Sequence, residues 1–88
     1  MIYQAEVVVE LRPVINDPQG LTVRDGLRAL GFAQVRAVRV GKVIRLELEA
    51  ADDAEARAGV VDMCEKLLRN PVIEDYTIEA VTAAEAVP

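Results

Sequence analysis

Residues 2 to 11, IYQAEVVVEL, alternate. Tyr3, Ala5, Val7, Val9 and Leu11 fall on one side of an extended chain; Gln4, Glu6 and Glu10 fall on the other, with Ile2 and Val8. A period of two is the signature of a strand with one buried face, so the chain must build a sheet and cover one side of it. Arg12 and Pro13 end the strand, because proline cannot donate to a mid-sheet ladder. The chain has 88 residues, enough for one domain. A domain of this size buries only about 60% of the surface its unfolded chain exposes, which makes association with another chain a natural source of stability. More than half of the residues are apolar, yet only Tyr3, Phe32 and Tyr76 are aromatic. Val, Leu, Ile and Ala must build the core.

The rest of the chain punctuates clearly. Asp17 and Pro18 start a helix, with Asp17 as cap and Pro18 at the first position. Leu21, Val23, Leu27 and Leu30 recur at roughly helical spacing, and Gly31 stands where a left-handed terminal residue belongs. Residues 35 to 49, VRAVRVGKVIRLELE, read as two strands around Gly41-Lys42. An odd-length connection or a bulge at Gly41 pairs Val38 with Ile44 and keeps both inside. Asp52 caps a second helix, with Glu55 at capping-box spacing. Ala54, Val61, Cys64 and Leu68 form its apolar stripe, widened by Val60 and Leu67. Asn70 and Pro71 stop it. A last strand covers 72 to 81, with Val72, Tyr76, Ile78 and Ala80 on one face. Residues 1 to 81 form the expected domain and 82 to 88 a flexible tail. The order β-α-β-β-α-β predicts an α+β fold: an antiparallel sheet with two helices on one face, the split βαβ or ferredoxin-like layout.

Composition excludes several chemistries. There is no His, Ser or Trp, and one cysteine, Cys64. Neither a Ser-His nor a Cys-His nucleophile pair can be assembled, nor a His/Cys zinc site. No phosphate-cradling glycine motif is present. The net charge of −5 argues against nucleic acid, whose phosphates demand clustered Lys or Arg. No apolar run approaches the ~18 residues of a membrane span, and the N-terminus shows no basic-then-apolar leader. With the lone cysteine, this reads as a cytoplasmic chain with no membrane partner. Cys64, on an apolar helical stripe, reads as a buried structural thiol.

Two clusters remain. NPVIEDY (70–76) puts Glu74 and Asp75 side by side, but neighbours on a strand diverge, which makes them a poor acid/base pair. Glu74 shares a face with apolar residues, so it is either solvated at an open strand start or paired with a cation, in this chain or another. VRVGK (38–42), with Arg36 and Arg45, gathers positive charge in an acidic protein. It is either a set of solvated edge charges or a contact for an acidic protein surface or an anionic ligand. DPQG (17–20) is a capped turn in which Gly20 would permit close approach of another backbone.

The series DPQG, LGF (30–32), VRVGK, MCEKLL (63–68) and NPVIEDY resembles, in order and spacing, the PurS family, the small subunit of phosphoribosylformylglycinamidine synthase, over residues 2 to about 81. The resemblance implies a role in purine biosynthesis, in the step that converts formylglycinamide ribonucleotide to its amidine with ATP and glutamine. It implies a non-catalytic subunit that forms homodimers or higher assemblies, joins a glutaminase subunit to a large synthetase subunit and aids ammonia transfer between them. No cofactor is expected in this chain; ATP and Mg belong on the large subunit. Arg39, Gly41, Lys42, Asn70, Glu74, Asp75 and Tyr76 are the partner-interface candidates, with no catalytic or metal residue among them. The alternative is a regulatory module sensing an amino acid or nucleotide at a dimer seam. An RNA-recognition domain of this topology is disfavoured for want of stacking aromatics on the central strands.

Overall fold

The structure is a computed structural model that describes residues 1–84. Its elements are β1 (Ile2–Leu11), α1 (Pro18–Ala29), β2 (Lys42–Glu49), α2 (Asp53–Met63), which runs on as a π-helical segment (Cys64–Leu68), and β3 (Glu74–Ala84). The three strands form one antiparallel sheet in the order β2-β1-β3. The alternation of β1 does what its sequence implies: Tyr3, Ala5, Val7 and Val9 are buried. They face Ala56, Val60 and Cys64 of α2, also buried, with Ile44, Leu46, Leu48, Tyr76 and Ile78 packed at the margins. Fully burying a side chain such as Val7 or Val60 contributes roughly 1.5–3 kcal/mol.

The register explains two departures from the expected faces. Glu6 pairs with Ala80 while Val7 pairs with Ile78, so Glu79 is a bulge residue with no partner of its own. Beyond it the pleat changes phase: Val81 is buried opposite Ala5, and Ala80 turns to the open face with Glu6. On α2 the buried residues are Ala56, Val60 and Cys64, one per turn. Ala54, Val61 and Leu67 of the expected stripe are exposed. Small Ala56 is what lets the helix approach the sheet. β3 begins at Glu74 rather than residue 72 and continues through residues 82–84, which places those three residues of the expected 82–88 tail in the sheet; the other four lie outside the described residues.

The α+β class and the antiparallel sheet are present, but the hairpin at Gly41 is not. Residues 33–41 form no strand, and Ile44 lies opposite Val7, not Val38. The chain continues straight past the end of β1. Gly41 lies so close to β1 that a Cβ there would stand 2.7 Å from the Val9 carbonyl oxygen, and Arg39 bonds the carbonyls of Leu11 and Arg12. The sheet therefore has three strands instead of four.

The second departure concerns α1. Its ends are as the sequence implies: Asp17 caps Gly20 N–H, and Gly31 takes φ +100°, letting Phe32 N–H reach back to the Leu27 carbonyl at 3.0 Å. But only α2 lies on the sheet. Within α1 only Gly20 is buried, and Leu21, Val23, Leu30 and Phe32 are exposed. The molecule measures 50 × 32 × 17 Å with a radius of gyration of 16.8 Å, against about 12 Å for a compact domain of this length.

Candidate functional site

The end of the sheet where β1 finishes, β2 begins and β3 begins is a polar joint. Asp17 sits at its centre. Its Oδ1 accepts Gly20 N–H at 2.9 Å and its Oδ2 accepts Val40 N–H at 2.8 Å. These donors, Val40 first, hold its carboxyl below the usual carboxylate range, with the Arg39 charge adding to the effect. Arg39 reaches over the loop after β1 and donates to Ile15 O (3.0 Å), Arg12 O (2.8 Å) and Leu11 O (3.3 Å). A side chain that the sequence offers as a free contact is thus bonded to its own chain.

Lys42 and Glu74, from β2 and β3, meet across the end of β1 with Nζ and Oε2 3.9 Å apart. Glu74 Oε1 also accepts Asn70 N–H at 2.8 Å, and Asn70 Oδ1 accepts Val72 N–H at 3.0 Å. Of the two readings of Glu74, pairing with a cation of this chain is the one realised. Gly41, Lys42 and Glu74 line a cleft of about 300 Å³ with Asp17 and Leu11. On the other face of the sheet, Asp75 pairs with Arg12 at 3.3 Å, and Arg12 also donates to Pro71 O at 2.7 Å. Asp75 and Arg39 line a second cleft of about 360 Å³ with Val8 and Thr77.

Tyr76 lies one step inward. Its hydroxyl donates to Glu65 Oε1 at 3.0 Å, Glu65 Oε2 binds Arg69 at 2.7 Å, and the Arg69 guanidinium stands 5.1 Å from the centre of the Tyr76 ring. The hydrogen bond to Glu65 favours the protonated phenol and raises its pKa. Burial does the same for the Cys64 thiol, with the Glu65 charge adding to it. Both groups therefore stay neutral and unreactive at neutral pH.

Six of the seven sequence candidates (Arg39, Gly41, Lys42, Asn70, Glu74 and Asp75) come together around this joint, and Tyr76 adjoins it through the π-helical segment. Sequence reasoning missed Arg12, Glu65 and Arg69, and read Asp17 only as a helix cap. Arg12 carried no local signal, because its partners lie 59 and 63 residues away. Glu65 and Arg69 carried the i,i+4 spacing of a helical ion pair. Among the described residues no group of three or more His, Cys, Asp or Glu is placed to hold a metal ion, and no helix is long and apolar enough to cross a membrane. The two adjacent carboxylates face opposite sides of β3 and each is engaged by a cation, so the joint carries shape and charge rather than a reacting pair.

Comparison with known proteins agrees. The Synechocystis sp. protein described as phosphoribosylformylglycinamidine synthase subunit PurS is 47% identical over 83 residues, 94% of this chain and 82% of its own length. The structure of Thermus thermophilus PurS matches with a TM-score of 0.88 at 40% identity, covering 97% of this chain and all of that one. A chain of the PurLQS structure from Thermotoga maritima matches with a TM-score of 0.83 at 35% identity, covering 90% of this chain and 96% of that one. The family profile described as PurS, phosphoribosylformylglycinamidine (FGAM) synthase, matches residues 4–82, and the chain belongs to that family.

Proposed function

We propose that this chain is the non-catalytic assembly subunit of a glutamine- and ATP-dependent FGAM synthase of purine biosynthesis, working in the cytoplasm. It joins a glutaminase subunit to a large synthetase subunit and helps ammonia pass from one to the other; ATP and Mg bind on the large subunit. The observation that carries this is the near full-length match to a chain of the Thermotoga maritima PurLQS structure. A joint whose carboxylates are engaged by cations, beside a phenol and a thiol held neutral, supports a gripping role over a chemical one. The relatives speak for assembly rather than for a small-molecule sensor.

The same chain pairs with a second copy. Three features support this. The apolar side chains Leu21, Val23, Leu30 and Phe32 of the α1 region are exposed, and the β2 side of the sheet is uncovered by α2, leaving Ile44, Leu46 and Leu48 half-buried. Charge is also divided along the chain. Residues 18–41, which precede β2, hold four Arg against one Asp, a net +3, and the remainder holds six Lys/Arg against fourteen Asp/Glu, a net −8. A basic, apolar arm on an acidic body is complementary to its own copy, and exchange of like elements is a low-cost route to a dimer.

The test is reconstitution. The chain is co-expressed with glutaminase and synthetase subunits, the complex is sized with and without glutamine and nucleotide, and this chain is then omitted. Omission is expected to abolish glutamine-dependent activity while leaving ammonium-dependent activity. Full glutamine-dependent activity without the chain would overturn the assembly reading.

A further inference from the structure

Asp17 is the one charged side chain buried among the described residues, and its two oxygens serve two different segments. Oδ1 closes the first turn of α1 through Gly20 N–H; Oδ2 holds residues 38–40 through Val40 N–H. The same two segments touch again where Gly20 lies against the Val38 carbonyl so closely that a Cβ would overlap it. Arg39 then ties residue 39 to the loop after β1. Near its other end α1 is tied only within the arm, where Arg28 Nε donates to Val35 O at 3.0 Å, and α1 does not lie on the sheet. A helix of 12 residues is about 18 Å long, so a rotation of about 10° at its fixed end moves its free end by about 3 Å.

We infer that Asp17 is the positioning residue of the α1 arm: by joining the first helical turn to residues 38–40 it sets the angle at which α1 is presented to a second copy of the chain. The last step rests on the pairing reading above; the first does not.

Asparagine separates the two jobs. It caps a helix as well as aspartate, but it has one acceptor oxygen, and its Nδ2 cannot accept from Val40 N–H. Asp17→Asn thus keeps the cap and releases residues 38–40. Gly20→Ala attacks the same contact without touching charge, and alanine favours the helix. The arm is read by spin labels on Ala29→Cys and Thr77→Cys, both exposed, in labelled protein diluted into unlabelled protein; Cys64 is fully buried and hidden from the label. The expected result is one narrow distance distribution in the parent and a broadened or shifted one in both variants. Helix content should hold and self-association weaken about tenfold, the scale of one lost charge-assisted hydrogen bond. If Asp17→Asn loses helix signal, Gly20→Ala decides, because its cap is intact. A distribution left narrow and unshifted overturns the inference. So does a loosened arm with unchanged self-association, which would leave the assembly reading standing. A parent protein that does not self-associate strikes the pairing reading and leaves the clamp to be judged by the distances alone.

Discussion

Glu74 points into the face of β3 that carries Tyr76 and Ile78, where an unpartnered carboxylate is costly. It is matched twice, by Asn70 N–H and by Lys42, and so fastens the start of β3 to the turn before it and to the start of β2. Lys42 is more than half exposed, which limits the ion pair to under about 1 kcal/mol of folding stability. On the assembly reading proposed above, its larger effect is on the surface offered to the other subunits. Lys42→Glu is therefore expected to cost little in the urea midpoint, Glu74→Lys more, because Asn70 N–H loses its acceptor, and each to weaken complex formation. The double exchange should recover most of the assembly seen by size separation. A double variant that assembles no better than the singles would remove this pair from the interface. The sequence marked Glu74 as needing a partner and Lys42 as part of a basic turn. It could not say that they meet, because that contact depends on both strands flanking β1 in register. Arg12 was illegible for the same reason: a single arginine before a proline says nothing about a carboxylate 63 residues on.

Elements with strong local signals were readable: the alternation of β1, the Asp17 and Asp52 caps, the left-handed Gly31, the Asn-Pro stop. What failed was phase. One bulge residue, Glu79, moves Val81 into the core and Ala80 out of it, and no turn residue announces it. Deleting Glu79 should remove the bulge and leave the remaining pairs in register, with Ala80 still opposite Glu6 and Val81 still inside opposite Ala5. The phase itself is read by truncation: Val81→Ala, which removes buried carbon at about 0.8 kcal/mol per methyl(ene) group, should lower the urea midpoint, whereas Glu79→Gln should leave it nearly unchanged. The strand expected at 35–40 failed differently. Its alternating pattern is real, but strand pattern alone does not name the partner strand. Residues 38–41 are instead committed to Asp17, to the loop after β1 and to the flank of Val9.

At the scale of the molecule, an arm and a body of opposite charge attract across distances comparable to the Debye length, about 10 Å at 0.1 M salt and 3 Å at 1 M. Self-association measured by sedimentation is accordingly expected to weaken as salt rises from low to molar concentration. Affinity that grows with salt would mean that the apolar faces alone drive pairing. Replacing Arg24 and Arg28 by Gln, which removes their charge, should flatten the dependence.

Gly41 carries a consequence of another kind. The stretches on either side of it have the sequence pattern of a hairpin, and one residue lying flat along β1 keeps them in line. Lengthening the chain at that point would let residues 35–40 fold back beside β2, so that a solitary copy could shelter its own β2 edge. On the pairing reading proposed above, whether a copy shelters its own β2 edge or relies on a second copy turns on loop length at this one position.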